Sequence, residues 1–206
     1  LESGKLVNDL SFSSIVRGFV EVFSSKTSRT YTIATGLIFG ILVSFLNIAQ
    51  PLFQEFLMVG KSFALYFGLG ALSVGIGSII NSKLVIIVNP QKIVLFALYL
   101  TAIWGICFYC LILFNLKINL VNVMIFLIPV FFLFGLLYGN MNAIALTPMG
   151  HIAGTASAVI GTASIVIAVP IGSIIAYYYK GPIDMFVQSI VIISLINILL
   201  VRKVKY

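Results

Sequence analysis

The chain reads as an all-α membrane protein, and three observations say so. Of its 206 residues 61% are hydrophobic and only 8% charged, with a mean hydropathy of +1.20, which leaves too few charges to cover a water-soluble globule. Long apolar runs at 30–54, 62–82, 93–116, 118–140, 152–179 and 182–201 carry no Lys, Arg, Asp, Glu or His except Asp184. At about 1.5 Å per helical residue each reaches roughly the thickness of a bilayer core. Finally, "VMIFLIPVFFLFGLL" does not alternate, whereas barrel strands must alternate between lipid and lumen.

The elements follow in order. Residues 1–29 form a cytoplasmic leader in which Phe12, Ile15, Val16, Phe19, Val20 and Phe23 recur at helical spacing, with Ser13, Arg17, Glu21 and Ser24 on much of the other side. That pattern predicts an amphipathic helix lying in the membrane interface. Residues 30–201 are the membrane domain, and 202–206 are a basic cytoplasmic tail. The first 29 residues lack the apolar core of a signal peptide, and Leu1 is not a start methionine, so preceding sequence is expected.

Net charge is +7, but its distribution speaks of topology and not of nucleic acid. With both termini cytoplasmic, Lys5, Arg17, Lys26, Arg29, Lys83, Lys92, Arg202, Lys203 and Lys205 lie inside and only Lys61, Lys117 and Lys180 outside. This arrangement obeys the positive-inside rule.

Few residues offer chemistry. Cys107 and Cys110 sit inside "WGICFYCLILF" with no second pair or histidine beside them, so they read as small buried hydrophobes and not as metal ligands. Ala71 and Gly75, flanked by Ser73 and Gly77, have the spacing of a close helix contact. No phosphate-binding glycine loop is present. His151 has no carboxylate or nucleophile beside it in sequence, and no acid, base and nucleophile fall together at membrane depth. An enzyme is not expected, nor a cofactor, nor a metal.

Uncharged polar residues inside the spans carry the functional signal. Asn47, Gln50 and Gln54, at i, i+3 and i+7, share one helix face, and with Tyr138 and Asn140 they form the expected wall of a substrate cavity. In "GNMNAIALTPMGHIAGTASAVIGTASIVIAVPIG", Ala153, Ser157 and Gly161 make one row, with Gly154, Ala158 and Thr162 beside it. One broad face is thus nearly without side chains, fit for packing or for sliding, and Pro170 supplies a kink.

"GNMNAIALTPMGHIAGTASAVIG" also resembles the junction between the tenth and eleventh helices of the Bcr/CflA family of drug-resistance transporters in the major facilitator superfamily. The matching positions are Asn140, Ala143, Ala145, Pro148, Gly150, His151, Ala153, Gly154, Thr155, Ala156, Ser157, Ala158 and Gly161. Pro148, Gly150 and His151 would mark its cytoplasmic junction. Weaker agreement runs through Pro51, Gly60, Phe67, Gly77, Asn81, Lys83, Leu84 and Val85. The resemblance implies six transmembrane helices built as two inverted three-helix repeats, one half of the family's fold. It also implies multi-pass residence in the inner (plasma) membrane. By the same resemblance, the chain would work with an N-terminal six-helix half to export small amphipathic drug-like molecules in exchange for protons. Asn81 stands where relatives often carry an acid, and their proton-coupling acid belongs to the other half. The competing expectation is a truncated or non-transporting six-helix protein that packs against partners.

Overall fold

The computed structural model describes residues 12–115, 117–181 and 183–204. It is all-helical, and no strand forms among the described residues. Seven α-helices follow one another among the described residues: α1 (Phe12–Ser24), α2 (Lys26–Gln50), α3 (Phe63–Ile87), α4 (Pro90–Leu113), α5 (Leu120–Leu146), α6 (Ala153–Tyr177) and α7 (Asp184–Arg202).

Their boundaries follow from local chemistry. Ser25 accepts the Ser28 amide and caps α2 directly after α1, so the second helix opens at Lys26 and not at residue 30. Asn89 caps α4, its Oδ1 accepting from the Gln91 amide at 2.8 Å, and Pro90 fills the first helical position where its missing N–H costs nothing. Asn119 caps α5 in the same way. Pro51 cannot donate the next rung of the α2 ladder, and the chain continues as a π-helical turn over Pro51–Phe56. The Leu57 amide bonds the Leu52 carbonyl at 2.9 Å. Between α5 and α6, Thr147–Ile152 form a 3-10 turn kinked at Met149. α5 therefore runs through "GNMN" to Leu146 and does not end at residue 140, while α6 continues unbroken through Pro170.

Among the described residues, five helical runs are long and apolar enough to cross a membrane: Lys26–Phe56, Gly60–Ile87, Pro90–Leu113, Leu120–Tyr177 and Asp184–Arg202. Six separate stretches were expected from the sequence. The fourth run, of 58 residues, holds two of them, because the 3-10 turn joins α5 to α6 directly across the kink at Met149.

Contacts settle the direction of each helix. Ser28 of α2 meets Ala145 at the end of α5, and Phe45 meets Phe131 nearer its start, so α2 and α5 are antiparallel. Gly36, Gly40 and Val43 of α2 meet Ile167, Ile171 and Gly172 of α6 in the same order, so these two are parallel. By the same test α3 is parallel to α5, through Gly70 with Phe131 and Asn81 with Asn140. α4 is antiparallel to α7, through Gln91 with Val204 and Tyr109 with Gln188. Successive helices from α2 to α7 thus alternate in direction. The chief neighbours are α2 with α6, α3 with α5, α4 with α7, α4 with α5, α2 with α5 and α2 with α7. Exchanging α2, α3, α4 for α5, α6, α7 regenerates this same set.

Inside the bundle, lipid supplies no hydrophobic drive, so cohesion rests on close packing. Phe45 anchors it, with ring contacts to Phe131 at 4.7 Å, Phe67 at 5.9 Å and Phe186 at 6.0 Å. Hydroxyls on the central helix are satisfied locally: Thr32 donates to the Ser28 carbonyl, Thr35 to Tyr31 and Ser44 to Ile41. Across the helix seams, Ser28 donates to Ala145 of α5 at 2.7 Å and Ser164 of α6 to Thr32 at 3.3 Å.

Candidate functional site

The polar face of α2 is open. Asn47 and Gln50 near its end, and Gln54 in the π turn, are all exposed, together with Leu46. One and two turns earlier on the same stripe, Leu42 and Phe39 border a small groove of about 150 Å³ between α2, α3 and α5. Tyr138 of α5 lies on its other side, 44% exposed, its ring 5.9 Å from that of Phe39. Tyr138 therefore shares this groove with the α2 stripe that ends in Gln50.

Asn140 lies elsewhere. It is buried in the α3–α5 seam, where its amide donates to the Asn81 side chain at 2.6 Å and to the Leu136 carbonyl at 2.7 Å. This buried pair pins α3 to α5, and neither amide faces the groove. Asn81, singled out in the sequence as a departure from an acidic residue, is thus the partner that satisfies Asn140.

The small residues of α6 divide by face. Ala156, Val159, Ile160, Ser164, Ala168 and Gly172 are buried against the bundle. Gly154, Ser157, Ala158, Thr162 and Pro170 are exposed and Gly161 half-buried. A Cβ added at Gly154 or Gly161 would meet nothing within 4 Å. Gly154, Ala158 and Thr162 instead floor a groove of about 540 Å³, walled on the other side by Ile15, Phe19 and Phe23 of α1. α3 repeats the pattern: Ala71 and Gly75 are exposed, and Ser73 and Gly77 supply the buried contact.

The junction motif occupies the 3-10 turn, with Pro148, Gly150 and His151 all exposed. His151 has a partner that sequence proximity could not reveal. Its Nε2 lies 2.8 Å from Oε2 of Glu21 on α1, 130 residues away. A carboxylate only accepts, so Nε2–H donates. The Arg17 Nε donates to the other Glu21 oxygen at 3.3 Å. The His151 hydrogen bond holds the Glu21 carboxyl below its ordinary value; partial desolvation opposes this, and Arg17 adds to the lowering. Gly18 fits closely beside Thr155, and Val22 is fully buried. α1 thus docks at the start of α6 through Gly18, Glu21 and Val22, leaving Ile15, Val16, Phe19 and Val20 about half exposed. The only sequence signal for this contact was that Glu21 lies on the polar side of an amphipathic helix.

Cys107 and Cys110 are free and on the outside of α4, and among the described residues no cluster of His, Cys, Asp and Glu could hold a metal. What the arrangement offers is a surface: a polar stripe ending α2, a small-residue row on α6 and a shallow aromatic groove by Tyr138. Compared with protein-family models, with curated proteins and with solved structures, the chain matches none.

Proposed function

We propose that this chain is the C-terminal half of a secondary-active exporter of small amphipathic, drug-like molecules, working by alternating access with a second six-helix half and exchanging substrate for protons. All six helices from α2 to α7 would cross the inner (plasma) membrane, with both termini cytoplasmic. The reading rests first on the resemblance of the α5–α6 junction to Bcr/CflA transporters. The alternation of helix direction and the neighbour pattern that survives exchange of the two helix triplets support it, as expected for inverted three-helix repeats.

One observation carries it furthest. Polar and small residues on the membrane-length elements α2 and α6 face outward with no partner in the bundle, where lipid would gain nothing from them. A second helical half would give Asn47, Gln50, Gln54 and Tyr138 a wet cavity to line, and would give Gly154, Ser157, Ala158, Gly161 and Thr162 a helix to approach. By the resemblance, the proton-coupling acid would lie in that half.

The test is efflux of a fluorescent cation from proteoliposomes under an imposed pH gradient, with the chain alone and with a complementary six-helix half. Gradient-dependent efflux only with both supports the reading. Equal fluxes with and without the chain would leave the alternative, a non-transporting unit that packs against partners. Impermeant thiol labelling at cysteines replacing Lys61, Lys117 and Lys180 checks the topology separately, and labelling only from the cytoplasmic side would overturn it.

A further inference from the structure

A cleft of about 410 Å³ opens where the π turn after α2 meets the chain leaving α6, and it brings together Glu55, Phe56, Tyr179 and Lys180. Because α2 and α6 are parallel, both elements end at the same side of the bundle. Glu55 and Lys180 are exposed and line this one cleft, yet they do not pair; the ion pairs among the described residues are Arg17 with Glu21 and His151 with Glu21. Phe56 presents a partly exposed ring beside them. Gly181, at φ +106°, turns the chain so that its Cβ position lies 3.7 Å from that ring. The Tyr179 hydroxyl donates to the Gly181 carbonyl and does not engage Glu55. Tyr179 nevertheless feels that carboxylate: its pKa is pushed up to about 12, first by burial and then by the charge on Glu55.

We propose that this cleft binds a small zwitterion with a primary ammonium group and an anionic oxygen group, the ammonium held by Glu55 and the Phe56 ring and the anion by Lys180. A π turn is a frequent mark of functional sites, and here it is what presents Glu55 and Phe56 to the cleft. An ammonium between a carboxylate and an aromatic face gains from both. The same chemistry is found in a phosphatidylethanolamine headgroup at the end of the bundle and in a soluble amino-phosphate or amino acid. The inference stands apart from transport, since it needs neither the second half nor a proton gradient.

Calorimetric titration of the purified full chain in detergent tests it, with short-chain phosphatidylethanolamine, short-chain phosphatidylglycerol and free O-phosphoethanolamine as probes. Saturable binding of the ethanolamine lipid is expected, weakened about tenfold or more by Glu55→Gln and by Lys180→Gln. Both residues are exposed, so the variants should fold; the double reversal Glu55→Lys with Lys180→Glu should restore part of the affinity. Binding of the lipid alone identifies a headgroup site, and equal binding of O-phosphoethanolamine identifies a soluble ligand. Failure of both zwitterions to bind, binding indifferent to both single substitutions, or equal affinity for phosphatidylglycerol would each overturn the proposal.

Discussion

Between α3 and α5 two glycines stand back to back, while on α6 two others stand before open space. A Cβ at Gly77 would drive into the Phe132 carbonyl oxygen, with Gly135 Cα at 3.3 Å, and one at Gly135 would strike the Val74 carbonyl oxygen and lie 2.8 Å from the Ser78 amide nitrogen. Gly154 and Gly161 would meet nothing. Gly77, like Gly154 and Gly161, sits in a stretch rich in small residues, whereas Gly135 stands alone among large apolar ones, and yet only the Gly77–Gly135 pair is a seam in this chain. A run of small residues therefore marks where a helix could be approached; the clearance around each Cα tells whether anything has done so.

The harshest way to break the comparison is to fill the closed seam. Gly77→Val or Gly135→Val must push backbone away from backbone, and should cost about 3 kcal/mol or more. The measurement is thermal unfolding of the detergent-purified chain, and a wild-type midpoint would show that the seam is not tight. Gly172→Ala should be milder, about 1–2 kcal/mol, because it meets mainly the Val43 side chain, at 2.6 Å, and only then the Ser44 amide nitrogen at 2.9 Å. Removing the amide pin with Asn140→Ala should cost about 1 kcal/mol, in line with interhelical hydrogen bonds in membranes. Asn81→Ala should not add its full cost to it, because the two share one bond; full additivity would mean that the pair does not act as a unit.

The open row sharpens the contrast. Gly154→Ala and Gly161→Ala should leave the isolated chain unchanged or more stable, by up to about 1 kcal/mol from helix propensity. In the proposed assembly with a second six-helix half, however, Gly154→Leu, Ser157→Leu and Gly161→Leu should abolish efflux while insertion persists, and Val166→Leu should be mild. Full efflux from the three leucine variants would remove the α6 row from the mechanism.

The smallest effect concerns the α1 contact. Glu21 has a lowered folded pKa, so its contribution to docking α1 is present above the ordinary carboxyl value of 4.5 and fades as pH falls through the depressed one. Spin labels on α1 and α6 should report release of α1 only below that window in the native chain. In Glu21→Gln the acid dependence should vanish. Undiminished docking at low pH in the native chain would show that Gly18 and Val22 suffice.

How far the residues alone could be read differs by level. Helical class followed from composition and the absence of alternation, because hydrocarbon forbids unpaired backbone. Boundaries did not: residues such as Asn140 and Asn81 look like turn formers locally, but each is satisfied by the other across two helices. Periodicity placed Asn47 and Gln50 on one face, and yet it could not show that both small rows of α6 stay largely exposed while Ala156, Ile160 and Ser164 face the bundle. Glu21 and His151 are 130 residues apart, and no local pattern joins residues that meet only after folding.

The hydroxyl groups of α2 have a mechanical consequence. Thr32, Thr35 and Ser44 each donate to a carbonyl three or four residues back on their own helix, so those bonds travel with α2 when it moves. At Gly36, Gly40 and Gly172 its contact with α6 sets glycine against branched aliphatic side chains, and a bond across this seam, from Ser164 to the Thr32 carbonyl, is long at 3.3 Å. Two parallel rods meeting in this way resemble a lubricated bearing more than a weld: shear along their common axis breaks few polar links, and the resistance comes from the shapes of Ile167 and Ile171 riding over Gly36 and Gly40.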